Sequence, residues 1–317
     1  MEEQKKTASN MELSKIQKRS FQSHVILRTT EADKNDAMFQ HSVLCQTFLP
    51  YRDPGSNINL WQQRQGSATL AVQAGNTYDP SIGEFAQIGL PYGPKARLIL
   101  AHINTEAIKS RRPEIDVEES MTAFIRKMGL NTDGRTIKVV KEQLRRISVA
   151  TFSIGFVTEE GSTQADLKIV KSFDLWFPKD QNQRVMWNST IMLTDDYFHS
   201  LTEHAIPLDE RALAALSHSA MGLDIYAWLA QRLHRVSYER PQFIAWTNLR
   251  DQFGHAYGEL SKFKQVFRKT LKDVLMQYPG ARIEEDPGKG FKLFNSPPPI
   301  PTKVFSLIDE VSKKKQE

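Results

Sequence analysis

Residues 258–294, GELSKFKQVFRKTLKDVLMQYPGARIEEDPGKGFKLF, constrain this chain more than any other stretch. Leu260, Phe263, Val266, Phe267, Leu271, Val274, Leu275 and Tyr278 recur three and four apart, which predicts a helix over 258–278 with one buried stripe. Lys262, Gln265, Lys269 and Lys272 fall on another face, flanked by Lys264 and Arg268. Such a helix is ~30 Å long. ARIEED, PGKG and FKLF then predict a hairpin with Lys289 in its turn and Lys292 on its second strand. The stripe needs partners, and the residues just upstream supply them. A short helix over 208–216, a longer one over 219–236, a strand over 243–246 and a helix over 247–253 ended by Gly254 precede it.

The same order of elements occurs earlier. GLPYGPKARLILAHINTEAIKS opens at Pro and Gly and continues as an amphipathic helix through Leu98, Ile99, His102, Ile103 and Ala107. PEIDV is a short strand over 113–117, and 118–128 a second helix stopped by Gly129. A third helix over 136–150 buries Ile137, Val140, Leu144 and Ile147, with Arg135, Lys138, Lys141, Arg145 and Arg146 on its non-apolar side. TFSIGFV is a strand, EEGSTQ a turn, 167–177 the partner strand and 184–193 another. Helix, strand, helix, helix and hairpin is the order of a winged helix. The expected fold is therefore α+β: tandem winged-helix domains, three-helix cores each with a β-hairpin wing, plus a small β-containing N-terminal extension. The expected boundaries are a disordered basic tail over 1–40, the extension with short strands over 41–88, a first winged-helix domain over 89–205, a second over 206–300, and a C-terminal tail over 301–317.

Helix faces studded with Lys and Arg suit duplex DNA. A major groove ~12 Å wide admits one helix, where Lys and Arg meet phosphates and Arg or Gln can read base edges. The hairpin tip then lies along the adjacent backbone. The expected DNA-binding residues are Arg135, Lys138, Lys141, Arg145 and Arg146 in the first module. In the second they are Lys262, Lys264, Arg268, Lys269 and Lys272 on the helix, with Lys289 and Lys292 on the hairpin. The competing reading is a solvated helix face, common in any soluble protein. Its weight falls because two such helices occupy the same place in two modules. A net charge of +5 adds little by itself, since position matters more than the sum.

The remaining chemistry argues against an enzyme. No G-x-x-x-x-G-K-[ST] stretch occurs; GLPYGPK and DPGKG lack its spacing and read as a helix start and a β-turn. His-x-His pairs are absent, and His199 and His204 stand five apart. Asp195 and Asp196 follow Thr194 at a helix start, where carboxylates suit the positive dipole end. Neither a metal nor another cofactor is expected. Cys45 is the single cysteine, which excludes an internal disulfide and fits a reducing, cytoplasmic setting. No apolar run approaches the ~18 residues of a membrane span, so no membrane partner is expected.

GLPYGPKARLIL…NTEAI, EQLRRISVATFSIG, IPLDERALAALSHSAMGLDIYAWLAQRLHR, FIAW…LRDQFG and the closing SPPP together resemble the plasmid-encoded RepA replication initiators of bacteria. The resemblance spans roughly residues 41–300. It implies a cytoplasmic, plasmid-associated protein that recognises repeats in a plasmid origin, helps open the duplex and recruits the host replication initiator and helicase. It also implies monomers on origin repeats and homodimers at the protein's own promoter. Three rivals stand beside this reading: a transcriptional repressor built on the same modules, a replication enzyme such as a primase or nicking nuclease, and a protein-interaction scaffold.

Overall fold

The computed structural model describes residues 15–33, 35–79, 83–117, 125, 126, 128, 130–158, 161–174 and 189–301. Residues 15–40, expected within a disordered or at most marginally helical tail, carry α1 (Lys15–Thr29) and all but the last residue of β1 (Ala37–His41). β1 is buried along its whole length. β2 (Leu60–Gln65), β3 (Ala68–Gln73), β4 (Asn76–Asp79) and β5 (Glu84–Gln87) make up the extension.

α2 (Gly93–Ser110) starts at a glycine with φ +73° and has proline in its first turn, where the missing N–H is harmless. It was expected to be amphipathic, yet it is buried on most sides because β1, the third helix and a helix of the second half all pack on it. β6 (Glu114–Val117) follows. The predicted helix over 118–128 falls almost wholly outside the described residues; of it, Ile125 and Met128 are buried. α3 (Gly134–Val149) is capped by Asp133, which accepts from Thr136 N at 2.9 Å. That bond holds the Asp133 carboxyl below the usual carboxylate range.

β7 (Thr151–Thr158), β8 (Gly161–Leu167), β9 (Val170–Asp174) and β10 (Ser189–Leu193) complete the first half. The turn expected over 159–164 is already strand from Gly161, and β8 rather than 167–177 pairs with β7. β9 pairs instead with β10, giving a three-stranded antiparallel sheet in the order β6-β10-β9. The β7–β8 hairpin extends into a second sheet, β2-β3-β7-β8, so the extension is fused to the first half through backbone hydrogen bonds.

α4 (Asp195–His204), capped by Thr194, leads into β11 (Ala205–Asp209), which pairs antiparallel with β1. α5 (Glu210–Leu216) and α6 (Ala220–Arg232) follow, and a 3-10 turn over Leu233–Arg235 ends the helix expected to reach 236. β12 (Gln242–Ala245), α7 (Trp246–Phe253), α8 (Leu260–Gln277), β13 (Ile283–Asp286) and β14 (Gly290–Leu293) close the fold. Their sheet runs β12-β14-β13. Each half thus places the last strand of its sheet between a strand that precedes its long basic helix and one that follows it.

Candidate nucleic-acid interface

α8 buries Phe263, Phe267, Leu271, Val274 and Gln277. By the 3.6-residue period, Lys262, Gln265, Lys269 and Lys272 lie on the far side, and all four are exposed. Lys264 and Arg268 flank that side and are half-buried, because both lean over the Trp246 indole. Lys264 Nζ is 5.4 Å and the Arg268 guanidinium carbon 4.9 Å from its ring centroid. Trp246 is buried and meets Phe263, Phe267 and Phe291 edge-on, so the cations rest on a fixed ring.

The hairpin is tied to α8 at the same place. Arg268 donates to Glu285 of β13 from Nε at 2.9 and 3.1 Å and from Nη2 at 2.7 Å. Those hydrogen bonds raise the Arg268 pKa. The hairpin turn reaches back to the start of α7, where Trp246 N donates to Lys289 O at 3.0 Å. Lys289 is exposed and lies 3.9 Å from Asp286. On β14 the neighbours Phe291 and Leu293 face the core, so Lys292 projects from the opposite face of the sheet. There it sits level with Phe243 and Glu284, so it does not continue the α8 face.

On α3 the period puts Arg135, Lys138 and Arg145 opposite the buried stripe of Val140, Leu144 and Ile147. Arg135 and Lys138 are exposed, and Lys141 and Arg145 are half-buried. Arg146 is of a different kind. Its side chain is 13% exposed, paired with Glu142 at 2.7 Å and Asp53 at 3.2 Å. It also donates to Leu90 O at 3.0 Å and stacks on Tyr92 at 4.9 Å. Burial works against its charge, but the bonds to Glu142 and Asp53 outweigh it and raise the pKa. Arg146 therefore anchors the chain around residues 53 and 90 and offers no outward donor face.

Three contributors escaped the sequence reading: Glu285, Trp246 and Asp53. Glu285 reads only as part of a hairpin strand and Trp246 only as the end of the strand over 243–246. Asp53 is distant in sequence from Arg146, and no local pattern announces the pair.

His41 is buried; Val43 N donates to its Nδ1 at 3.2 Å, so its Nε2 proton points to Ser200 Oγ at 3.0 Å, the wrong direction to activate a serine. Cys45 is buried, which pushes its thiol pKa up. Among the described residues no group of three or more His, Cys, Asp or Glu is placed to hold a metal ion. No helix among them is long and apolar enough to cross a membrane.

The family model described as "Plasmid encoded RepA protein" matches residues 90–250. No curated protein matches the sequence. The fold is similar to a crystal structure of SeMet derivatives of domain 2 and domain 3 of RctB. The TM-score is 0.52 at 9% identity, covering 80% of this chain and 97% of that one. A second crystal structure, of RctB domains 2-3, gives a TM-score of 0.49 at 10% identity, covering 79% and 94%. At these identities the likeness concerns the fold alone.

Proposed function

Because the chain belongs to the plasmid-encoded RepA family of replication initiators, we propose that it binds repeated duplex sites in a plasmid origin through two winged-helix modules, with no catalysis of its own. Helix α3 with its sheet and helix α8 with its sheet are the two modules in this reading. The observation that carries it is the α8 face: Lys262, Gln265, Lys269 and Lys272 exposed together, beside a hairpin whose tip carries Lys289. The repeat of the strand order β6-β10-β9 as β12-β14-β13 supports the tandem arrangement. Arg135, Lys138, Lys141 and Arg145 are the phosphate partners assigned to α3, and Arg146 is withdrawn from that role. The host initiator and helicase are the protein partners this role requires, and a homodimer would serve a repressing form.

Footprinting on the DNA that flanks the protein's own gene, at two salt concentrations, tests this. Regularly spaced protected repeats are expected, with an affinity that falls as salt rises, by about 0.9 in log–log slope per neutralised phosphate. Lys269→Ala should weaken every repeat alike and reduce the slope by about that amount. A single protected site over the promoter would favour a repressor. No protection even at low salt would overturn the proposal.

A further inference from the structure

We propose that Glu285 is a positioning residue that aims Arg268 at a guanine edge, making Arg268 the specificity-determining side chain of the α8 face. The inference rests on the DNA-binding reading above and adds to it the base class and the residue that aims the reader.

The geometry is that of a guanidinium held before its ligand arrives. Glu285 lies level with Phe291 on the inner side of the hairpin, facing α8. Its carboxylate takes Nε and one hydrogen of Nη2. The indole of Trp246 fixes the guanidinium at 4.9 Å and is itself wedged among Phe263, Phe267 and Phe291. A guanidinium carries five N–H donors in one plane. Nη1 has no hydrogen-bond partner among the described residues, and the side chain is 41% exposed. The outward pair, one hydrogen from Nη1 and one from Nη2, is the fork that matches guanine O6 and N7 in the major groove.

A phosphate could accept the same two hydrogens, but the charges argue against it. A carboxylate 2.7 Å from Arg268 cancels most of the field that would draw a phosphate. It leaves the hydrogen-bond geometry intact. Lys262, Lys269 and Lys272 carry their charge with no paired carboxylate among the described residues, so they suit phosphates better. Holding the long Arg side chain in one rotamer also removes ordering entropy from the binding step. A charge-neutral, pre-aimed fork beside a row of lysines that have no carboxylate partner among the described residues divides the labour between reading and gripping.

The test replaces each guanine of a footprinted repeat in turn by 7-deazaguanine, which lacks the N7 acceptor. Binding is measured for the wild type, Arg268→Lys, Arg268→Ala and Glu285→Gln across a salt series. In the wild type, at least one guanine should be sensitive, its replacement weakening binding about ten-fold. Both Arg268 variants should lose that sensitivity, and Glu285→Gln most of it, while other positions and the salt slope stay unchanged. Arg268→Lys keeps the charge but not the fork, so it separates reading from folding. If all variants keep the wild-type pattern and merely bind more weakly everywhere, the pair is only a clamp between helix and hairpin, and the proposal is overturned. A fall of about 0.9 in the slope for Arg268→Ala would make it a phosphate contact and overturn it equally. A wild type that protects no repeat is a separate result, which removes the DNA-binding reading and this inference with it.

Discussion

His41 lies on β1 with no exposed surface, its ring 6.0 Å from that of His204 and 5.9 Å from that of Tyr197. Burial, helped by the charge of His204, lowers its pKa from 6.5 to about 3. The neutral ring is thus built into the folded state. Above pH 6.5 both folded and unfolded chains carry it neutral, and the full stability is present. As pH falls through 6.5 the unfolded chain takes a proton that the folded one refuses. Stability then drops by about 1.4 kcal/mol per pH unit, until the folded pKa is reached. At pH 5 this single group should remove about 2 kcal/mol. Asp224 acts in the opposite sense, because burial pushes its carboxyl up to about 6, so the folded chain gains a proton first. The two are separated by comparing urea unfolding at pH 7.5 and 5.0 in the wild type and in His41→Gln. The acid-induced loss should be about 2 kcal/mol smaller in the variant, and equal losses would show that His41 titrates normally.

Two glycines of the C-terminal hairpin differ in what they do for that element. Gly288 has φ +77° in the turn, with open space where a Cβ would stand. Gly288→Ala therefore meets only backbone strain, about 1–2 kcal/mol. A Cβ on Gly290 would lie 1.9 Å from Ile244 O, inside the β12–β14 pairing, so Gly290→Ala must spread the strands that carry the hairpin. It should be the more destabilising of the two in urea melts and should also release the grip of Lys289 O on Trp246 N; the reverse order would mean that the strands adjust freely. In the sequence, elements of this kind were legible where one face is buried and the other wet. The stripes of α3 and α8 follow the helical period closely, and so do their basic faces. β1 was illegible because burial on both sides leaves AMFQH without alternation. α1 was legible only as a marginal helix, and its docking was hidden because its anchors are polar: Ser20 receives Gln277 at 3.0 Å, and His24 meets Met276 O at 2.6 Å. GSTQADL gave no sign of β8, whose place is set by backbone pairing to β7. Arg146 looked like Lys138 for the same reason that Arg268 looked like Lys269. Their carboxylate partners, Asp53 and Glu285, arrive from elsewhere in the chain.

At the scale of the molecule, most buried apolar side chains among the described residues form one cluster running from Met38 to Leu293, with Ala37, Phe39 and Ile300 in a small second one, so the two halves are not beads on a linker. A buried polar link between them joins Arg97 of α2 with Asp224 of α6, Nε to Oδ1 at 2.6 Å and Nη2 to Oδ2 at 2.7 Å. Arg97 also donates to the carbonyls of Leu49, Pro50 and Gly93, and lies over the Tyr51 ring at 5.3 Å. One guanidinium thus joins the extension, the first half and the second. A buried pair of this kind adds little over an apolar pair of equal volume, but breaking one side strands a charge, at a cost of about 3–5 kcal/mol. Asp224→Ala leaves Arg97 with three carbonyls and no counter-charge, so it should lower stability by that amount. The double change Arg97→Met with Asp224→Leu removes both charges and fills the space, and it should recover most of the loss. A double-mutant cycle by urea unfolding measures the difference. Additive losses would show that the two side chains are held independently, and a cost below about 1 kcal/mol for Asp224→Ala would show that water or a neighbouring carbonyl already satisfies Arg97. A strongly coupled result would make the orientation of α2 against α6, and with it the spacing between the two basic helices, a rigid property of the chain rather than one set on binding.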